Sequence, residues 1–451
     1  MAFSRRRFIG HGAAVMAAAG TQLGLVSRAA HAGPGDEYRA LVCVLLAGGA
    51  DSYNMLVPYD SDGYADYSAI RSDLALPRDQ LIELPGNGSR RFALHPALAP
   101  LAAHYGAGDL ALVTNVGTLV EPTDPDAVAQ GSARLPLGLF SHADQIAQWQ
   151  TSLPDLRSGS GVGGRLADLV AAGRGVAPIS MNISLSGTNV FQTGATVSSY
   201  SVDADEGVRQ VAGYDPQDPD SALFTSALDA LLAAPYADPF RASYATQLRQ
   251  AIDAGRSFRD ALAAAPPLAT AFQADPFSSS LAQIARIISV RDQLDAGCQT
   301  FFVTFGGWDH HDDVLENQAA MLPALAAGLD SLQRALVELG VADRVTTFTI
   351  SDFGRTLTSN GKGSDHGWGG HQLVLGGSVA GGALYGEYPE LVADNPLDVG
   401  RGRYIPTTSV DEFYADLALW FGVAEADLPL VLPNLSRFRS AGGGPPLGLM
   451  V

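Results

Sequence analysis

The sequence predicts an α/β fold with a mostly parallel central sheet flanked by helices, and three observations carry that expectation. Continuous apolar runs ending in glycine or aspartate recur along the chain, as in "YRALVCVLLAGGAD" at 38–51. Such runs mark strands buried on both faces. Segments of helical periodicity follow them, and parallel neighbours need crossovers of that kind. Finally, 451 residues that are 47% hydrophobic can bury one large core or two ordinary ones.

The elements follow in order. After the first strand, "LHPALAPLAAHYGAGD" has helical spacing and a glycine stop, and "LALVTNVG" at 110–117 reads as the next strand. From 158 to 300 the pattern is irregular. There "RSGSGVGGRLADLV" opens a helix, "APISMNISL" reads as a strand, and two alanine-rich amphipathic helices are expected over about 220–295. "CQTFFVTFGGWD" restores the strand pattern. A long helix follows, with apolar positions at 315, 322, 325, 329, 332 and 336, and then "RVTTFTISDFGR" as another strand. The chain shows no internal repeat, coiled coil or low-complexity tract. A single domain over 33–451 is expected, elaborated by an irregular insertion near 155–300.

The formal charge of −19 argues against nucleic acid, because no basic stripe is present to displace counterions from phosphates. Ser4-Arg5-Arg6-Arg7-Phe8-Ile9 is a twin-arginine pattern, followed by a weakly apolar run and by Ala30-His31-Ala32, an A-x-A cleavage site. Residues 1–32 therefore read as a signal peptide handled by the twin-arginine translocase. The run is short and interrupted by Gln22 and Gly24, so export to the periplasm or beyond is expected, with no stable membrane span in the mature protein. Cys43 and Cys298 each sit in or beside a strand-like apolar run and read as buried thiols, without metal or redox spacing. Gly48-Gly49 and Gly306-Gly307 extend to no nucleotide-binding pattern, so a dinucleotide site is rejected.

Three strands end alike. Asp51 follows "VLLAGGA", Asp309 follows "FVTFGGW" and Asp352 follows "TTFTIS". In an open α/β sheet functional groups gather beyond the carboxyl ends of the strands, and three carboxylates there repel one another unless cations hold them. An aspartate after a strand is also an ordinary turn or N-cap residue, the reading preferred for Asp312 and Asp313 at the start of the long helix. The histidines point the same way: His310, His311, His366 and His371 lie within one segment that also carries Asp309, Asp352, Arg355 and Asp365. Carboxylate oxygens with imidazole nitrogens are the ligand set of zinc, manganese or iron rather than of an all-oxygen calcium cage. Asp309 and His311, at alternate positions, are expected to point into the crevice with His310 facing away. His95 and His104 read as packing or surface residues.

At this point "VLLAGGADSYNMLVPY", "FSHADQIAQWQ", "GGWDHHDDVLENQ", "SDFGRTLTSNGKGSDHGWGGHQLVLGG" and "TTSVDEFYADLALWFGV" carry a family resemblance. Their order resembles that of the exported domain-of-unknown-function family 1501, which looks like a branch of the alkaline phosphatase and sulfatase superfamily. The resemblance implies an alkaline-phosphatase-like three-layer sandwich. It also implies an exported metal-dependent hydrolase of phosphate or sulfate esters, or alternatively a non-catalytic metal-containing envelope protein binding a partner or polysaccharide. The implied ligands are Asp51, Asp309, His311, Asp352, Asp365, His366 and His371, holding a divalent metal, with zinc as first choice and manganese or calcium as alternatives. The superfamily usually has a histidine directly after the Asp352 position, where this chain has Phe353. Its helix-N-terminal nucleophile points to Ser141, ahead of Thr118 and Ser52, the competing reading of Ser141 being a plain N-cap. Arg355 is the expected partner of an anionic ester substrate, the competing reading being a salt bridge to a clustered aspartate. Trp308 and Trp368 flank the ligands and read as packing residues.

Overall fold

The protein is described by a computed structural model covering residues 37–86, 90–174, 180–205, 207–208, 211–440 and 442–451. The twin-arginine pattern and the Ala30-His31-Ala32 site lie outside the described residues. In chain order the strands are β1 (Arg39–Ala47), β2 (Leu56–Pro58), β3 (Ile82–Glu83), β4 (Phe92–Leu94), β5 (Leu110–Gly117), β6 (Asn182–Ser184), β7 (Tyr200–Ser201), β8 (Cys298–Gly306), β9 (Val345–Ser351), β10 (Gly370–Leu375), β11 (Leu384–Tyr385) and β12 (Thr408–Ser409). Nine form one sheet in the order β11-β5-β10-β9-β1-β8-β6-β7, with β12 also on β5, while β2, β4 and β3 make a small antiparallel sheet.

Strand β1 lies at the centre, parallel to β8 on one side and to β9 on the other. Its side chains alternate between two cores, as a strand's period of two requires. Ala40, Val42, Val44 and Leu46 enter one, where helices Pro276–Ser289 and Val314–Glu338 supply Leu281, Ile284, Leu322 and Leu325. Leu41, Cys43 and Leu45 enter the other, against Trp149, Leu166 and Phe413 from helices His142–Thr151, Val162–Arg174 and Val410–Phe421. The sheet is thus covered on both faces, which is why its strands read as unbroken apolar runs.

Three expectations change. The 220–295 region holds three helices, Ala222–Ala233, Pro239–Ala263 and Pro276–Ser289, because Asp238 and Asp275 each start a new helix with a capping side chain and a following proline. Strand β10 runs antiparallel to β9 and β5, since the connection from β9 contains no crossover helix. Asp313 takes the N-cap position of Val314–Glu338 in a left-handed conformation, but its side chain caps nothing. The apolar positions of that helix are as expected, with Leu322, Leu325, Leu329, Leu332 and Leu336 all buried. Cys43 and Cys298 are buried and not disulfide-bonded. Cys298 pairs with Arg39 in the β1–β8 register, so the two thiols are offset by roughly 13 Å along the sheet, far beyond bridging reach.

The strand ends set up the site. Ala47 pairs with Gly306 and Leu46 with Ser351, so the segments beginning at Gly48, Gly307 and Asp352 leave the sheet side by side. Just behind them the fully buried Asp51 accepts from Arg71 Nη2 at 2.5 Å and from Ser364 Oγ at 3.0 Å. Arg71, at the end of helix Ser61–Arg71, also donates to the carbonyls of Thr356 and Leu357, tying that helix to the turn after β9. Replacing one partner strands a buried charge. Arg71→Met is expected to lower stability by about 3–5 kcal/mol in urea unfolding, whereas loss of a surface pair would cost under about 1 kcal/mol.

Candidate metal centre

The site is assembled where the β1, β8 and β9 tips meet. Gly48 has φ +122°, and a Cβ there would lie 2.4 Å from the Asp309 nitrogen, so only glycine lets the β1 tip approach the loop after β8 this closely. Its N–H donates to Asp352 Oδ1 at 3.0 Å. The fully buried Arg355 guanidinium donates to the carbonyls of Gly49 (2.7 Å), Gly48 (2.7 Å), Ser364 (2.9 Å) and Trp308 (3.3 Å), and it pairs with the Asp309 carboxylate.

Around Asp309 stand three imidazoles, each oriented from behind. His142 faces Asp352 Oδ2 through Nδ1 at 2.6 Å, His311 faces Asp365 Oδ1 through Nδ1 at 3.1 Å, and His366 faces the Phe140 carbonyl through Nδ1 at 2.8 Å. Each of these oxygens is an acceptor, so each Nδ1 is the protonated nitrogen and each Nε2 presents a lone pair. The three Nε2 atoms turn inward. His366 Nε2 lies 3.1 Å from His142 Nε2 and 2.9 Å from His311 Nε2. Asp309 completes the group, with Oδ2 3.4 Å from His142 Nε2, and Oδ1 3.0 Å from His311 Nε2 and 3.5 Å from His366 Nε2. Among the described residues, His142, Asp309 and His366 offer donor atoms that all lie within 4.8 Å of one another.

These donors fit a divalent cation. Facing lone pairs at about 3 Å repel unless a positive centre lies among them, and tetrahedral zinc with bonds near 2.0–2.1 Å needs neighbouring donors roughly 3.3 Å apart. The electrostatics agree. Burial raises the Asp309 pKa, but the hydrogen bond and charge of Arg355 outweigh it and hold the carboxyl below its usual range. Asp365 is likewise brought down to about 2, burial being outweighed by Asn360, His311 and Arg401. Burial, with His142 and Arg355 nearby, lowers His366 and keeps it neutral as a ligand must be. Asp309 and His311 side chains remain 45% and 44% exposed, so the centre has a face open to solvent.

The expected residues divide three ways. Asp309, His311 and His366 come together with donor atoms inward. Asp352 and Asp365 lie one step out, orienting His142 and His311. Asp51 and His371 are elsewhere: Asp51 is matched by Arg71, and His371 is buried between Tyr53 and Tyr388, ring centroids 4.8 and 4.7 Å away, with Nδ1 accepting from the Asn115 N–H. Arg355 is enclosed by carbonyls and Asp309, so of its two readings the structure has the salt bridge and not a substrate contact. Ser141 is the N-cap of helix His142–Thr151 without a capping hydrogen bond, and its hydroxyl bonds Asp144, which Arg157 also holds. His310 is buried against Trp308, its carbonyl accepting from Ser364, while His95 caps Ala97 and His104 pairs with Asp330. Trp368 is a packing residue, as expected, with its indole N–H on the Thr118 carbonyl.

Sequence reasoning missed His142 as a member of the group. The one hint was Phe353: where a histidine was looked for after Asp352, the phenylalanine instead packs against both His142 and His366, with ring centroids 4.8 and 4.6 Å away. The third imidazole comes from a helix start more than two hundred residues earlier.

Comparison with known proteins places these observations. The sequence matches the family described as "Protein of unknown function (DUF1501)" over residues 184–427, more than half of the chain. No curated protein matches. Two solved structures, titled "Crystal structure of Ps i-CgsB in complex with k-i-k-neocarrahexaose" and "Crystal structure of Ps i-CgsB", are each 11% identical with a TM-score of 0.34. The alignments cover 87% and 89% of this chain and 74% and 77% of those chains. A likeness that distant carries no argument.

Two outcomes follow from the geometry. Asp352 accepts from Gly48 through one oxygen and from His142 through the other, so an amide can serve only one of them and turns its NH2 toward the second. Asp352→Asn is therefore expected to weaken zinc binding about 10–100-fold in a competition titration. His371, by contrast, is held neutral by burial, its pKa brought from 6.5 to about 3. The unfolded chain binds more protons across that window, so stability falls as pH drops through it. His371→Gln is expected to lessen that acid-side loss in unfolding curves while leaving zinc content unchanged.

Proposed function

We propose that this chain, which belongs to the DUF1501 family, is an exported metal-dependent hydrolase of phosphate or sulfate esters. The observation that carries the reading is the convergence of three Nε2 lone pairs on the Asp309 carboxylate, each imidazole fixed through Nδ1 by its own acceptor. His142, His366 and Asp309, with His311 beside them, would hold a divalent ion, zinc first by the chemistry of the donors. When bound, such an ion polarises an ester oxygen and lowers the pKa of water. The chain's residues supply the positioning. Asp352, Asp365 and the Phe140 carbonyl keep the imidazoles in one tautomer, Arg355 keeps Asp309 ionised, and the exposed side admits water and ester. In this reading water is the nucleophile, and Ser141 is the N-cap residue of helix His142–Thr151.

The ester class rests on the motif resemblance to the alkaline phosphatase and sulfatase superfamily, and export rests on the Ser4–Ile9 pattern. Among the described residues no helix is long and apolar enough to cross a membrane. A non-catalytic, metal-containing envelope protein is the second reading, favoured by the burial of Arg355 away from any substrate.

The mature chain, 33–451, separates them by elemental analysis and by assay of phosphate monoesters, diesters and sulfate esters with zinc, manganese or calcium. Bound metal with turnover is expected, lost together in Asp309→Ala, while Ser141→Ala keeps both within about two-fold, the scale of a surface hydrogen bond. Metal without turnover supports the non-catalytic reading. A metal-free, inactive chain that gains no thermal stability from any of these ions sinks both.

A further inference from the structure

Resting on that hydrolase reading, we propose that the substrate carries a second anionic group beyond the scissile ester, received by Lys362 and Arg403 on loops that pack against the metal centre. The chain holds 47 acidic against 28 basic residues, and Lys362 is its single lysine. That lysine is exposed, with no ion pair among the described residues. Its loop is locked onto the site: Asn360 Nδ2 donates to the His311 carbonyl and to Asp365 Oδ1, both at 3.0 Å, and Asn360 Oδ1 accepts from the Lys362 N–H at 3.1 Å. A Cβ on the next residue, Gly363, would lie 2.4 Å from the His311 carbonyl oxygen, so the backbone beside Lys362 touches a ligand segment directly.

Arg403 lies over the Phe140 ring, 5.0 Å from its centroid, and the Phe140 carbonyl is the acceptor that orients His366. The Arg403 Nε donates to the Gly400 carbonyl, and no carboxylate partner faces the guanidinium among the described residues. Arg401, two residues before Arg403, is already paired with Asp365 at 2.6 Å. The acids of the centre are matched as well: Asp309 by Arg355, Asp352 by His142, and Asp365 by His311 and Arg401. Lys362 and Arg403 are therefore surplus to internal charge balance. Two unmatched cations on loops packed against the site, in a strongly acidic protein, focus anions there. A flexible ammonium and a planar fork suit a ligand with charges at separated positions.

The test measures binding rather than turnover, using calorimetry on the zinc-loaded mature chain in about 0.15 M salt, where distant surface charge is screened. The probes are inorganic phosphate, inositol hexakisphosphate and sucrose octasulfate, the last two separating a polyphosphate from a polysulfated sugar. At least one polyanion is expected to bind tighter than inorganic phosphate. Lys362→Met and Arg403→Met should each cut that preference about two- to five-fold, with zinc content unchanged by elemental analysis. Equal affinities for all three probes, or a preference that survives the double variant, overturns the proposal. If the chain proves to bind no zinc, the metal reading fails separately, and the polyanion preference and its loss in the variants are read on the metal-free chain.

Discussion

The buried guanidinium of Arg355 is the interaction on which the rest of the site depends. A charge taken out of water is costly unless it is both paired and hydrogen-bonded, and Arg355 meets both conditions through Asp309 and four backbone carbonyls. Those carbonyls belong to the β1 tip, the β8 tip and the segment leading to His366. One side chain therefore fixes the relative positions of three loops that share no sequence neighbourhood. The same commitment holds Asp309 ionised and removes Arg355 from any dealings with a substrate.

Orientation of the imidazoles follows a second tier of contacts. Asp352 is fully buried and divides its oxygens between Gly48 and His142, so the turn at the end of β1 and the tautomer of a histidine on a distant helix are set by one carboxylate. Phe353 next to it supplies a flat apolar floor under His142 and His366. An apolar floor, imidazoles held through Nδ1 and a half-exposed Asp309 and His311 together form a His/Asp donor group whose chemistry fits a divalent ion. On the loops packed against these residues, Arg401 is paired with Asp365 and Arg403 lies over the Phe140 ring, in a chain whose formal charge is −19.

Much of this was legible in the sequence. The unbroken apolar runs at β1, β8 and β9 foretold strands buried on both faces, and the aspartates at their ends foretold a crevice at their carboxyl edge, because both patterns are local and repeat with the period of the element. Asp309 and His311 were readable for the same reason, since they follow the end of β8, and His366 because it shares one histidine-rich segment with them. Asp51 was read among the ligands because the pattern that marks a strand end says nothing about which cation meets the carboxylate, and in the structure it pairs with Arg71. His371 was misplaced because proximity in sequence to His366 does not carry across the first residues of β10, where the side chain turns into an aromatic core.

Local periodicity and residue chemistry, which depend only on neighbours along the chain, determined the strands, the crevice edge and the class of ligands. Tertiary structure alone decided the membership of His142, the retreat of Asp352 and Asp365 to orienting roles, the burial of Arg355 and the engagement of Ser141 with Asp144. Each of those turns on a contact between residues that are adjacent in space because parallel strands bring their ends together, or on the direction a side chain takes once backbone and solvent have claimed its partners.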